Sequence, residues 1–400
     1  MATVFPFSPD WSDDVIERLS WLTDVIPQDG GGEQRVQLRE GARRTLEYSV
    51  KPIGDRERVL ASHIIAAAGG EAMLLPQWLD APWVTAKAAA GASSVSVHST
   101  TDHAVSIGGQ VALLEAGRYE TAVVQALATG AVGLTLPLAS EWPAGARLAP
   151  LASAWLQPEG RMIYPADSVG RMTLTWEIDG EWIGVAAAEA ADYRGYPVLL
   201  PQTDWSDEVG DDLTRDLLVF DSETGLRSRT LTTGLLTAQR VHRWTLKGRP
   251  AIAAFKAWLA ARAGRLNPIW HPSNQADVLP VEAIGAAATT LVCEDRGLWR
   301  LFAGGQKPGA VGRRDLMIVS TAGTRWYRRV TNAVQLSGGR EQLTIDSALG
   351  TALATSAVAL VSLMRLVRLA ADTVEIAYKS DDTAKCALGL ASLRDGTTTP

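Results

Sequence analysis

The chain has 400 residues, of which 46% are hydrophobic and 20% are charged, so two or three globular domains are expected. Its net charge of −6 argues against general nucleic-acid binding, which usually needs a basic face. The two cysteines, Cys293 and Cys386, exclude a disulfide framework and any site built from four thiolates. The opening "MATVFPFSPDW" lacks the basic and apolar regions of a signal peptide, and none is expected.

A short sequence near the start is repeated near the middle of the chain. "PDWSDDVIERL" begins at Pro9 and "TDWSDEVGDDL" begins at Thr203, which places Trp11 and Trp205 at an offset of 194. Asp and Ser cap backbone N–H groups at turns and helix starts, so we expect each tryptophan to be a buried anchor beside a cap. Further matches near this offset predict a tandem duplication of about 10–185 and 204–393.

The first copy continues with an expected strand, "ARRTLEYSV", and then a helix. In "RERVLASHIIAAAG", Leu60 and Ile64 share one helical face, and Gly69 is a typical C-terminal cap. The helix leads to a Pro-x-Trp element at Pro76 and Trp78. Short alternating runs follow and predict strands, among them "ASSVSVHS", "LAPLASAWL" and, at the end of the copy, "RMTLTWEID".

The second copy has matching segments in the same order. "AQRVHRWTL" precedes a helix with Ile252, Phe255 and Leu259 on one face and Gly264 at its end, and Trp270 follows in "LNPIW". Its predicted strands include "ATTLVCED", "VALVSLMRL" and a final "TVEIAYKSD". The uncharged run 347–364 is long enough to raise the question of a membrane span, but its counterpart in the first copy carries charges and prolines, so we expect both to be soluble.

The strands, the close turn signals and the absence of βαβ alternation predict a mainly β protein. We expect two tandemly duplicated β-barrel or sandwich domains, each with one packed helix. The first comprises residues 1–190, including an N-terminal arm, and the second comprises 191–400.

Motifs for chemistry are scarce in this sequence. No HExxH, GxSxG or phosphate-binding loop is present, and "AGGQKPG" (303–309) is better explained as a hairpin loop. "HSTTDH" places His98, Asp102 and His103 close together, but the second copy reads "CEDRGL" there, which favours an exposed turn over a metal site. We therefore expect no enzyme activity and no catalytic residue, cofactor or metal.

Arginine and aromatic residues typical of protein–protein contact surfaces are the remaining candidates for function. The repeated tryptophans and a cluster in "GRRD" and "TRWYRRV" make up a candidate interface: Trp11, Trp205, Arg313, Arg314, Arg325, Trp326, Arg328 and Arg329. An alternative hypothesis uses exposed tryptophans, among the 14 in the chain, as sugar-stacking platforms of a carbohydrate-binding or cell-wall-acting module. Coplanar exposed tryptophans in a groove would favour that alternative, and burial at matched positions would favour a structural role.

Both ends of the chain resemble tail-tip proteins of siphophages and prophages, of the distal-tail or baseplate-hub kind. The resemblance lies in Trp21 to Val25 (WLTDV), Gly32 to Arg35 (GEQR), Leu38 to Arg44 and the later run "RLVRLAADTVEIAYKSDDTAKCALGL". It implies β-barrel-like hub domains with a helix alongside. Some related tail-tip proteins hold an iron–sulfur cluster on cysteines, but two cysteines do not fit that pattern and no cluster is expected.

The resemblance implies a ring under the tail tube that holds the receptor-binding or fibre apparatus. The expected partners are further copies of the chain, the tail tube protein, the hub or fibre proteins, and the tape-measure protein or DNA passing through the lumen. The expected location is the virion, after synthesis in the bacterial cytoplasm. Three duplicated chains would give a trimer with pseudo-six-fold symmetry, and a hexamer is the other possibility. The net negative charge predicts an acidic lumen that repels DNA.

Overall fold

A computed structural model describes residues 3–28, 32–67, 70–157, 162–186, 192–199, 203–205, 208–302 and 313–393. Within these ranges, the side chains of 215–216 and 231–236 are left undescribed. Strands account for 52% of the structure and helical turns for 10%, which confirms the mainly β prediction. The described part of one chain contains no closed barrel.

The described residues form 24 strands and two α-helices. In the first half they are β1 (Val15–Ser20), β2 (Thr23–Pro27), β3 (Glu33–Gln37), β4 (Ala42–Val50), α1 (Asp55–Ala67), β5 (Met73–Pro76), β6 (Ser94–Ser96), β7 (Gln110–Glu115), β8 (Arg118–Ala128), β9 (Ala131–Leu134), β10 (Arg147–Leu156), β11 (Met162–Ala166) and β12 (Val169–Trp182). In the second half they are β13 (Asp192–Tyr193), β14 (Tyr196–Pro197), β15 (Asp211–Asp221), β16 (Arg227–Lys247), α2 (Arg249–Arg262), β17 (Ile269–Pro272), β18 (Thr290–Glu294), β19 (Asp315–Ser320), β20 (Arg325–Leu336), β21 (Arg340–Ile345), β22 (Val358–Leu369), β23 (Thr373–Ser380) and β24 (Thr383–Ser392).

Eight strands form a central row in which every neighbouring pair is antiparallel. The order across the row is β15–β16–β24–β23–β1–β4–β12–β11. The first half of the chain therefore supplies four adjacent strands and the second half supplies the other four. They meet where β1 lies against β23, and β15 and β11 are left at the two ends of the row.

Each half also carries a smaller antiparallel sheet that extends from the central row. In the first half, β10 pairs with β12, β5 and β7, and the ladder continues through β8 and β9 to β6. In the second half, β22 pairs with β24, β17 and β19, and the ladder continues through β20 and β21 to β18. The two small sheets therefore have the same order of pairing.

The hydrophobic cores follow this arrangement. One large cluster is shared by both halves, and Leu19, Trp176, Leu259 and Ile376 are among its fully buried members. Each small sheet encloses its own cluster, one around Trp142 and Leu148 and the other around residues 278–361. The predicted boundary between two domains at 190/191 is therefore bridged by a common core, and part of that linker lies outside the described residues.

The two helices lie close to where the apolar spacing predicts them. Ile252, Phe255 and Leu259 of α2 are buried, and Ala263 ends the helix in the left-handed conformation with φ of 48°. The expected cap, Gly264, is one residue further on, and the expected cap of α1, Gly69, lies outside the described residues. Neither described helix is long and apolar enough to cross a membrane. The uncharged run 347–364 contributes a 3₁₀ turn at Thr355–Ala357 and the start of β22.

Candidate assembly interface

The contact between the two halves is the best-defined interface in the described structure. β1 and β23 pair through six residue pairs, from Val15 opposite Tyr378 to Ser20 opposite Thr373. On the outer face, Arg18 donates to Glu375 at 3.0 Å, and Lys379 donates to Asp14 at 2.7 Å. The halves are therefore joined by a shared strand ladder, flanked by charge pairs that cross it.

A buried carboxylate lies under this ladder. Glu17 of β1 is fully buried and accepts hydrogen bonds from Arg44 Nε at 2.5 Å, Lys256 Nζ at 3.0 Å and Tyr378 Oη at 2.8 Å. Burial by itself raises the pKa of Glu17, but the positive charges of Arg44 and Lys256 outweigh it and lower this pKa to about 2. Because Lys256 and Tyr378 belong to the second half, the charge on Glu17 depends on how the halves are joined.

Further arginine side chains form ion pairs and hydrogen bonds between the two halves. Arg249, at the start of α2, pairs with Asp80 and donates to the backbone oxygen of Asp102 at 2.8 Å. Arg147 of the first half donates to Asp381 at 2.9 Å. Buried and partly buried charge pairs of this kind fix register, because a displaced partner leaves an uncompensated charge.

The β2–β3 hairpin also reaches across to the second half. Arg368 of β22 holds the carboxylate of Glu33 with two hydrogen bonds, at 2.6 Å and 3.0 Å. Arg265 donates to the backbone oxygen of Thr23 at 2.6 Å and to Asp372 at 3.1 Å. This hairpin contains two of the segments that carry the resemblance, 21–25 and 32–35, and it contacts β22 and the segment that follows α2.

The repeated tryptophans are more exposed than the sequence predicts. Trp11 lies in a turn before β1 and is 36% exposed, and Trp205 is 50% exposed, so the expectation of buried anchors is wrong for both. The expected turn capping is present at the first site, where Asp10 Oδ1 accepts the Ser12 N–H at 3.2 Å. Their exposure leaves both side chains accessible to a partner.

The arginine cluster divides into accessible and internal members. Arg313 is exposed beside a cavity of about 230 Å³ that Asp211, Arg240 and Arg365 also line. Arg325 is exposed at the start of β20, whereas Arg314 is partly buried. Among the predicted interface arginines, Arg313 and Arg325 therefore lie where another chain can reach them.

Three of the predicted interface residues have contacts within the chain. Arg329 is 6% exposed, and its guanidinium pairs with the buried Asp315 at 2.8 Å, so it stabilises the interior. Arg328 donates to the backbone oxygens of Ser347 and Ala348 at 2.9 Å and 2.7 Å. Trp326 packs against the core of the second small sheet. For these three residues, the general enrichment of Arg and Trp at protein interfaces did not predict that their side chains make contacts within the chain.

A long ribbon at one end of the central row was missed by the sequence reasoning. β15 has 11 residues and β16 has 21, and among described residues β15 pairs only with β16. Its large apolar side chains are exposed, with Leu218 at 62% and Phe220 at 66%. The run "LLVF" (217–220) in an otherwise alternating strand was the available signal.

His98 and His103 lie close together beside Trp83, whose backbone N–H donates to His98 Nδ1 at 3.3 Å. His98 stacks on Trp83 with ring centres 3.4 Å apart, and His103 lies edge-on to His98 at 5.3 Å. Burial lowers the pKa of both histidines. In the part of the chain that the structure describes, no three His, Cys, Asp or Glu side chains are grouped to hold a metal ion.

Comparison with protein-family models finds no match, and comparison with curated protein sequences finds no similar protein.

Proposed function

We propose that the chain is a ring-forming structural component of a bacteriophage tail tip or baseplate, a distal-tail or hub protein that joins the tail tube to the receptor-binding or fibre apparatus. The observation that carries the proposal is the central row of strands. Two four-stranded units from one chain lie side by side and are joined edge to edge, as two neighbouring segments of a ring would be. The resemblance at residues 21–25, 32–35 and 38–44 supplies the phage context.

The pairing pattern supports a tandem duplication. β4 lies between β1 and β12 in the first half, and β16 lies between β15 and β24 in the second half. An acid–arginine pair recurs under corresponding strands: Glu17 with Arg44 and Asp211 with Arg240. Glu17 and Asp211 are 194 positions apart, the same offset as the repeated tryptophans.

The strand ladders correct one part of the alignment that the sequence suggests. The runs "RMTLTWEID" and "TVEIAYKSD" were expected to be counterparts, but β12 pairs with β4, whereas β23 does not pair with β16. The strand beside β16 is β24, so β24 takes the place of β12, and β23 takes the place of β11. Alternating strands are hard to tell apart in sequence, because their hydrophobic patterns are similar even when their neighbours in the sheet are different.

In this proposal each chain supplies two near-equivalent segments, and three chains close a ring with pseudo-six-fold symmetry. Such a ring fits the six-fold tube protein through its pseudo-six-fold symmetry and the three-fold hub or fibre proteins through its true three-fold symmetry. The lumen passes DNA and the tape-measure protein. The protein resides in the virion after synthesis in the bacterial cytoplasm, and it acts as a scaffold without catalysis.

Immunogold labelling tests this role. An antibody raised against the purified protein is applied to virions of the phage or prophage that encodes the chain. The proposal expects gold at the tail end distal to the head and expects it on intact particles. Label confined to capsids, or found only on cell debris, contradicts the proposal.

One observation favours the carbohydrate-binding alternative. A cavity of about 430 Å³ is lined by Trp11, Glu57, Glu115 and Arg147, a mixture of ring and polar groups that suits a sugar. Seven of the 14 tryptophans are buried, however, including the matched pair Trp78 and Trp270, and exposed Trp83 has one face covered by His98. A glycan array with the wild type and a Trp11→Ala variant decides: binding that Trp11→Ala abolishes would favour the alternative.

A further inference from the structure

The two ends of the central row are unfinished in one chain. At one end, β15 pairs with β16 alone, and at the other end β11 pairs with β12 alone, among the residues that the structure describes. Both strands carry exposed apolar side chains: Leu213 and Phe220 on β15, and Ile163 and Tyr164 on β11. Exposed apolar edge strands are templates for strand pairing with another chain.

The chain itself shows what covers such an edge. The counterpart of β15 in the first repeat is β1, and the outer edge of β1 is paired with β23. The counterpart of β23 in the first repeat is β11. Within the chain, β23 therefore covers the outer edge of β1, whereas the same edge of β15, the counterpart of β1, has no partner among the described residues. The outer edge of β11, the counterpart of β23, has no partner there either.

We propose that β15 of one chain pairs antiparallel with β11 of a second copy, repeating between chains the β1–β23 junction found within the chain. This inference rests on the tandem duplication put forward in the proposed function. The contact is head-to-tail, because it joins two different edges, and such contacts close into rings when the rotation per subunit allows it. Three chains of eight row strands then give a continuous circle of 24 strands.

Burial of the repeated acid–arginine pair agrees with this assignment. Glu17 is fully buried because Lys256 and Tyr378 of the other repeat cover it. The side chain of its counterpart Asp211 is 21% exposed, although Arg240 and Arg365 pair with it. An incoming first repeat from a second copy would cover Asp211 as the second repeat covers Glu17.

The outer part of the β15–β16 ribbon has a counterpart in the first repeat, the β2–β3 hairpin. In the first repeat, the β2–β3 hairpin leans on the second repeat through Arg368 to Glu33 and Arg265 to Thr23. In the second repeat, the same position in the topology is taken by the outer part of the β15–β16 ribbon, where Leu217 to Phe220 are exposed. A two-stranded ribbon is marginally stable without a further strand or a packed face, and a second copy supplies both.

Pro165 limits where the pairing occurs. It lies in the irregular stretch of β11 between Ile163 and Ala166, and proline has no N–H to donate. The pairing on β11 therefore uses the end that contains Met162 and Ile163. The corresponding residues of β23, Ile376 and Ala377, are likewise paired with β1, opposite Glu17 and Ile16.

Two edge variants and their mixture test the proposal. The first variant, Leu213→Lys/Phe220→Asp, places charges on β15, and the second, Ile163→Lys/Tyr164→Asp, places them on β11. A control, Ile107→Lys/Leu136→Asp, changes two apolar residues that are at least as exposed and that lie away from both edges. Masses are measured by light scattering across a concentration series, with circular dichroism melting to show that each variant is folded.

We expect wild type and control to assemble into a closed particle of at least three chains, and each edge variant alone to remain a 42.7 kDa monomer. A one-to-one mixture of the two edge variants is expected to form dimers and nothing larger, because one intact β15 edge and one intact β11 edge remain between them. Folded edge variants that assemble like wild type overturn the proposal, as does a mixture without dimers. A wild type that stays monomeric throughout the series also overturns it.

The outcomes separate this inference from the proposed function. A ring that survives both sets of edge substitutions leaves the ring role standing and removes the β15–β11 contact. An open fibre that both sets abolish keeps the contact and removes the closed ring.

Discussion

Replacing Glu17 by glutamine removes the charge at the centre of the junction between the two halves. The substitution keeps the shape of the side chain but removes the fully buried carboxylate with which Arg44 and Lys256 pair. Removing one partner of a buried ion pair typically costs about 3–5 kcal/mol of folding free energy. The pKa gives an independent figure: a fall from 4.5 to about 2 corresponds to about 3 kcal/mol.

The two figures agree, so we expect Glu17→Gln to lower the free energy of unfolding at pH 7 by about 3 kcal/mol. The sign of the pH dependence follows from the lowered pKa. The stabilisation by Glu17 is complete above pH 4.5 and is lost as the pH falls toward 2, because the unfolded chain takes up the proton first. The variant should therefore lose less stability than wild type over that range.

Urea unfolding followed by tryptophan fluorescence, at pH 7 and at steps below pH 4.5, measures both effects. Glu375→Gln is the matched control, because it removes an exposed partner of Arg18 on the same ladder and should cost less than about 1 kcal/mol. If Glu17→Gln costs no more than Glu375→Gln, the buried network does not hold the two halves together.

Three further predictions concern the interior. Arg329→Met should lower the unfolding free energy by about 3–5 kcal/mol, because it strands buried Asp315, whereas Arg325→Ala should change it by less than about 0.5 kcal/mol; equal effects in urea would contradict the internal role of Arg329. Burial lowers the pKa of His242 to about 4, so wild type should lose stability as the pH falls from 6.5 toward 4, and His242→Gln should flatten that part of the profile. Trp270→Ala should cost about 3–5 kcal/mol through lost packing and the lost bond from its indole N–H to the Tyr193 oxygen, and exposed Trp205→Ala should cost far less in the same thermal and urea assays.

The sequence predicts much of the fold, because its strongest signals are local. Apolar spacing places α2, whose Ile252, Phe255 and Leu259 are all buried as expected. The β7–β8 and β19–β20 hairpins turn at Gly117 and Gly323, whose φ values of 72° and 85° suit glycine, so these turn signals are local as well. The order of repeated segments also suggests two similar halves.

The sequence does not determine which strands lie side by side. The β1–β23 pair joins residues more than 350 positions apart, and nothing in either strand specifies that neighbour. The same limitation led to β23 being aligned with β12, although β24 occupies that place. For the candidate site, residue type alone could not separate Arg329, which pairs with Asp315 inside the chain, from exposed Arg325, since only burial distinguishes them.

In the proposed assembly, one chain supplies two equivalent segments of a closed ring. Electron microscopy of the purified, assembled protein, combined with its mass in solution, tests this arrangement. We expect particles of about 128 kDa, three chains of 42.7 kDa, whose end-on views show six similar lobes around a central opening. A closed two-fold dimer, or a ring whose lobes equal the number of chains, would contradict it.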